Sequence, residues 1–205
     1  MAKKGKIKDR RRVGDHYARK AKQDHYAARS VYKLQEIDAK HRLLRPGGRV
    51  LDLGCAPGSW TQFASEKVGP SGRVVGVDQH PVQIGSLANV AVLTADVFEL
   101  SAEALLSEGR FDVVLSDLAP KTTGSKVTDQ ARSAELVRRA FDVARRVLRP
   151  GGAFVFKVFE GPDVKELIEG LGGSFRTVSR VKPRSSRSYS PEIFGVAVGF
   201  RPDGD

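Results

Sequence analysis

Residues 49–60, Arg-Val-Leu-Asp-Leu-Gly-Cys-Ala-Pro-Gly-Ser-Trp, constrain the fold more than any other stretch of the chain. An apolar run, 50–53, enters a loop carrying Gly54, Pro57 and Gly58, and helix-like sequence begins near Trp60. A strand, a tight glycine turn and a helix start form the unit through which an open α/β sheet receives a nucleotide-like ligand. The glycines lack the Gly-x-Gly-x-x-Gly spacing of a dinucleotide loop and the Gly-Lys-Ser/Thr ending of a P-loop. The turn therefore points to another adenosyl compound.

Around this unit the pattern alternates. Apolar runs predict strands at 49–53, 73–78, 90–94, 111–116, 153–158, 175–181 and 194–200. Helical spacing predicts helices at 29–44, 59–68, 101–108, 129–149 and 163–171, with a short helical piece near 81–86. Strands separated by helices imply an α/β fold with a Rossmann-like, doubly wound, seven-stranded, mostly parallel sheet. Only a basic loop, 182–193, separates the last two strands, so one strand is expected to run antiparallel to the others. Leu-Arg-Pro-Gly-Gly occurs at 44–48 and again at 148–152, each copy ending a helix and launching a strand.

Charge divides the chain in two. The net charge is +11, from 35 Lys/Arg and 24 Asp/Glu. Residues 1–49 hold 16 of those cations and 5 of the acids, which leaves 19 against 19 in the remainder. The whole excess thus lies in the N-terminal quarter, and a nucleic acid is the economical partner. A basic arm is expected over 1–28, disordered over 1–12 when free, ahead of a catalytic domain over 29–205. Within 15–28 aromatic and basic residues interleave, which suits either phosphate contact with base stacking or an amphipathic arm laid on the domain. No apolar run reaches the roughly 20 residues of a membrane span, and the basic N-terminus lacks the apolar segment of a secretory signal. Cys55 is the only cysteine, which excludes an internal disulfide and suits a cytoplasmic protein. The scattered His residues give no metal-ligand spacing.

Acids recur at the predicted strand ends. Asp52 lies at the first, Asp78 at the second, Asp96 just after the third and Asp117 at the fourth. Such positions converge on one crevice, where Asp78 would accept hydrogen bonds from ribose hydroxyls and Asp96 would meet an adenine amino group. Any one of them alone is as readily a turn or capping residue, and Trp60 alone is as readily core as ligand wall. Together, an acid-lined pocket suits a cationic sulfonium better than a pyrophosphate, so S-adenosyl-L-methionine is the expected cofactor. Lys157 stands inside the apolar strand Ala-Phe-Val-Phe-Lys-Val-Phe (153–159). Burial or a neighbouring cation would suit it to base chemistry, whereas on an edge strand it would discourage aggregation.

Taken together, Arg-Ser-Val-Tyr-Lys-Leu (29–34), Asp-Leu-Gly-Cys-Ala-Pro-Gly-Ser-Trp (52–60), Ser-Asp-Leu-Ala-Pro (116–120), Val-Phe-Lys-Val-Phe (155–159) and Ser-Tyr-Ser-Pro-Glu-Ile-Phe (188–194) resemble the FtsJ-like family of RNA ribose 2′-O-methyltransferases, particularly its bacterial large-subunit ribosomal RNA branch. The resemblance implies a class I S-adenosylmethionine-dependent methyltransferase acting on a uridine in large-subunit (23S) ribosomal RNA, within a ribosomal particle, as a cytoplasmic monomer and without a metal. It also implies a catalytic tetrad of Lys33, Asp117, Lys157 and Glu192, with Gly58, Trp60, Asp78, Asp96 and Asp117 at the cofactor. In that reading Lys157 orients or deprotonates the 2′-hydroxyl, Lys33 steers the ribose, and the two acids hold the ammonium groups. The alternative on the same fold is a non-catalytic RNA-binding factor in ribosome assembly.

Overall fold

The computed structural model describes residues 16–187 and 189–202. The tail expected to be disordered at 1–12 lies outside the described residues. Seven strands form one sheet: β1 Arg49–Leu53, β2 Arg73–Asp78, β3 Val90–Thr94, β4 Phe111–Ser116, β5 Leu148–Phe159, β6 Phe175–Val181 and β7 Glu192–Phe200. Their order is β3-β2-β1-β4-β5-β7-β6. β1 to β5 pair in parallel, and β7 runs antiparallel to both β5 and β6. The sheet is thus seven-stranded and mixed, with the antiparallel hairpin read from the basic loop. Strand order reverses between β1 and β4, and a doubly wound sheet opens its ligand crevice at that reversal.

Helices cover both faces. Residues 16–23 form α1; then come α2 Val31–His41, α3 Ser59–Val68, α4 Ala102–Leu106, α5 Lys126–Val147 and α6 Asp163–Gly172. One core lies under α4, α5 and α6 and contains Leu51, Leu53, Phe154 and Phe156. The other lies under α2 and α3 and contains Val50, Leu115, Val155 and Phe194. Alternate residues of one strand therefore enter opposite cores, as the two-residue period of a strand requires.

The element ends have local causes. α5 starts at Lys126, three residues before the expected start, because Ser125 accepts a bond from Thr128 N and Asp129 sits in the first turn. α2 stops at His41 because Arg42 turns into the left-handed region at φ 53°. Both Leu-Arg-Pro-Gly-Gly copies use their first glycine alike, Gly47 at φ 76° and Gly151 at φ 79°. The helical piece expected near 81–86 is absent; the segment has no regular structure. A proline and a glycine interrupt that stretch; Gln83 N donates to the Pro57 carbonyl at 2.7 Å, and Ile84 lies over Gly58.

Residues 16–28 lie against the domain. Ala21 is buried, Tyr17 packs on Tyr32 with ring centroids 5.3 Å apart, and Tyr26 donates to Glu66 Oε2 at 2.6 Å. For these aromatics the structure takes the amphipathic-arm alternative.

Candidate active site

The β1–α3 turn forms the floor. Gly54 has φ 77°, and a Cβ there would lie 2.9 Å from Leu118 Cδ2, so a side chain is excluded twice over. Gly54 N and Cys55 N both donate to the Val77 carbonyl, at 2.8 and 3.2 Å. Ala56 N donates to Asp78 Oδ2 at 3.0 Å. The turn is therefore tied to the end of β2 by three main-chain donors.

Beside it opens a cleft of about 760 Å³, lined among others by Gly54, Ala56, Asp78, Asp96, Phe98 and Asp117. Asp78 Oδ1 also accepts from His80 N at 2.8 Å, and Asp96 Oδ1 from Phe98 N at 2.9 Å. Both acids thus make the turn contacts expected of Asp after a strand and still line the cleft. The two roles coexist because each carboxylate oxygen has two lone pairs.

The four residues expected in catalysis meet at one end of the sheet. In β5·β7 pairing, Lys157 faces Phe194 and Phe159 faces Glu192. Directly paired residues share a sheet face, so Lys157 and Glu192 project to the same side on the diagonal. That side is the one α2 covers, and Lys33 from α2 pairs with Glu192 Oε1 at 2.5 Å. Asp117 follows β4, the other neighbour of β5. Its Oδ1 lies 2.9 Å from Lys157 Nζ, and Lys157 Nζ donates to its carbonyl at 2.6 Å. Each ammonium therefore has its own carboxylate. Burial alone would raise the Glu192 carboxyl; the charge and hydrogen bond of Lys33, then the charge of Lys157, outweigh it and hold the carboxyl below its ordinary range. Lys157 is thus close enough to act on both acids.

Asp52 is a titrating group that sequence reasoning placed at a strand end without foreseeing its state. It is fully buried under the turn, where Thr61 Oγ1 donates to its Oδ2 at 2.7 Å. Burial, opposed by that bond and reinforced by the charges of Asp117 and Asp78, pushes it up to about 7.

Two of the residues expected at the cofactor have side chains or Cα atoms that do not form part of the cleft lining. Trp60 does not line the cleft: it is 2% exposed, faces Phe194 with centroids 5.8 Å apart, and donates Nε1 to the Ser30 carbonyl at 2.9 Å. Its position, second in α3, points it at the α2 core rather than the ligand side. Gly58 is likewise not among the lining residues and lies under Ile84. Sequence reasoning missed Phe98, which is half exposed at the cleft. Its signal was its place two residues after Asp96. It also missed Glu36, one helical turn after Lys33.

Residues 26–200 match the profile of the FtsJ-like methyltransferase family. The chain is 51% identical over 193 residues to ribosomal RNA large subunit methyltransferase E of Nitratidesulfovibrio vulgaris strain Miyazaki F, covering 93% of this chain and 96% of that one. It is also 51% identical over 191 residues to the protein of the same name from Syntrophobacter fumaroxidans, covering 92% and 97%. Among solved structures, a Plasmodium falciparum chain assigned as a ribosomal RNA methyltransferase superposes with a TM-score of 0.74 at 27% identity, covering 85% of this chain and 98% of that one. The chain belongs to the FtsJ-like methyltransferase family.

Proposed function

We propose that this FtsJ-like methyltransferase transfers a methyl group from S-adenosyl-L-methionine to a ribose 2′-hydroxyl, that of a uridine in large-subunit ribosomal RNA, in a cytoplasmic ribosomal particle. The observation that carries the reading is the pairing of Lys157 with Asp117 and Lys33 with Glu192 beside the acid-lined cleft. The cleft volume falls in the range that takes a small cofactor. Asp78, Asp96 and Asp117 supply the negative lining that a sulfonium requires, and Phe98 offers an apolar wall to a flat base. Bound there, S-adenosylmethionine supplies an electrophilic methyl on a cationic sulfur.

A ribose hydroxyl is a weak nucleophile at neutral pH, so the chain's own residues must align it and manage its proton. Lys157 Nζ is the basic atom held by Asp117 at the edge of the cleft. It orients the hydroxyl and accepts its proton as the new C–O bond forms and the methyl–sulfur bond breaks. Asp117 fixes Lys157 from two atoms, and Glu192 fixes Lys33, leaving that cation to steer the ribose. The Lys182, Arg184 and Arg187 loop brings the phosphate backbone to this edge, and such contacts position RNA without choosing its sequence.

Labelled S-adenosylmethionine, the purified chain and large ribosomal particles or their RNA test the reading. Nucleoside analysis should find the label in 2′-O-methyluridine. Label on a base, or RNA binding with no transfer, overturns it; the latter outcome favours the assembly-factor alternative.

A further inference from the structure

Lys33 belongs to α2 and Glu192 follows the β6–β7 loop, and these segments touch at more than that ion pair. Lys33 and Glu36 are three residues apart on α2, which places them on one stripe of the helix, and Arg29 lies in the turn just before it. Each binds the β6–β7 loop or its exit. Arg29 Nη2 donates to the Ser185 carbonyl at 2.6 Å. Lys33 pairs with Glu192. Glu36 accepts two consecutive main-chain amides, Arg184 N on Oε2 at 2.7 Å and Ser185 N on Oε1 at 2.9 Å.

The ion pair is therefore bracketed by bonds to the loop on either side. A carboxylate that takes two adjacent N–H groups, one per oxygen, is directional as well as strong. The loop backbone at 184–185 cannot slide along α2 without breaking one of them. Lys182 Nζ then ties the loop entry to its exit by donating to the Ser190 carbonyl, at 2.7 Å, and to that of Glu192. Charge gives an independent reason for the clamp. The loop carries Lys182, Arg184 and Arg187, and Lys33 of α2 and Arg29 just before it face the loop, so the two would repel. Glu36 is the α2 counter-charge set on the loop's own amides.

We propose that Glu36, assisted by Arg29, is a positioning residue for methyl transfer: it docks the β6–β7 loop on α2 and so sets the Lys33–Glu192 pair against Lys157. The proposal rests on the 2′-O-methyltransferase reading of the site. Glu36 acts through Glu192, which makes its effect separable from ordinary loss of stability.

A double-mutant cycle on the full chain tests it. Glu36→Ala removes both acceptors, and Glu36→Gln keeps the length and one acceptor, which guards against a variant that fails to fold. The expected result is a kcat lowered roughly tenfold in Glu36→Gln and up to about a hundredfold in Glu36→Ala. KM for S-adenosylmethionine stays unchanged, since neither variant touches the cleft, and the amides of residues 184 and 185 lose hydrogen-exchange protection. In a Glu192→Gln background the Glu36 substitutions cost little more, because residues acting as a unit are not additive. Fully additive losses, or an unchanged kcat, overturn the positioning role. Unaltered exchange at 184 and 185 overturns the clamp itself, and that arm needs no substrate. Failure of the wild-type chain to methylate RNA overturns the proposed reaction and the catalytic role with it, while the exchange arm still judges the clamp separately.

Discussion

Lys157 sits 8% exposed in an otherwise apolar strand, with a carboxylate and a carbonyl of one residue on its ammonium. Removing one partner of such a buried pair leaves the other charge unpaired, at a cost of about 3–5 kcal/mol. Lys157→Ala is therefore expected to abolish transfer but also to lower stability. Lys157→Arg is the sharper variant: it keeps the charge opposite Asp117 but cannot give up its proton at neutral pH. Its turnover should fall by roughly 10²–10⁴-fold while calorimetric cofactor binding persists. Near-normal turnover would limit Lys157 to a charge-bearing role. Asp52 gives a pH prediction. Its carboxyl rises from an ordinary 3.8 to about 7 in the fold, so between those values the folded state keeps a proton that the unfolded chain has released. Stability must then fall as pH rises through that window, by at most on the order of 4 kcal/mol from this group. Asp52→Asn retains an acceptor for Thr61 and carries no charge, so its denaturant-unfolding stability should vary less between pH 4 and pH 7. Equal pH dependence in both proteins would remove Asp52 as the source.

Among the elements, the β5·β7 pair and the β1–α3 turn decide whether the site exists. The antiparallel register that sets Phe159 against Glu192 also sets Lys157 against Phe194. A slip of one residue would send Glu192 to the opposite face, away from Lys33. The turn depends on Gly54. In Gly54→Ala the new Cβ meets Leu118 side chain and backbone at 2.9 and 3.1 Å with φ at 77°. The expected loss is about 1–3 kcal/mol of stability, together with weaker S-adenosylmethionine binding because the strained turn forms the cleft floor. Titration calorimetry beside thermal unfolding separates the two effects; undiminished affinity would show that the floor adapts.

Over the whole molecule, charge and packing divide the N-terminal quarter differently. Its cations outnumber its acids by the full net charge of the chain, yet residues 16–28 also pack on the domain through Ala21, Tyr17 and Tyr26. Deleting 1–28 would remove positive charge and domain packing at once. Deleting 1–15 removes seven cations and two acids and leaves that packing intact. The melting temperature of the shortened chain should match that of the full chain, while RNA affinity falls. The slope of log affinity against log salt should flatten by roughly 0.7–0.9 for each phosphate no longer neutralised. An unchanged slope would mean that these cations do not reach RNA. Among the described residues no helix is long and apolar enough to cross a membrane.

Strand positions and the order of the acids along the chain were legible in the sequence because they depend on short-range pattern. An apolar run marks β1 wherever it folds, and Pro-Gly-Gly stands just before β1 at its first copy, whereas the second copy lies inside β5, which already begins at Leu148. The tetrad's residue types were legible too, but through resemblance: Lys33 and Glu192 lie 159 positions apart, and no local periodicity connects a helix lysine to a carboxylate beyond a basic loop. Packing joined them, because antiparallel β7 begins where parallel β5 ends and α2 covers that face. The same long-range choice turned the Trp60 indole into the core. Nothing in Gly-Ser-Trp says which side of α3 will meet the cleft; the indole went inward because Phe194 and the Ser30 carbonyl awaited it there. The sequence alone determined which chemical groups this protein owns and on which kinds of element they ride. The tertiary structure decided which of them share a face, since that depends on contacts between segments far apart in the chain.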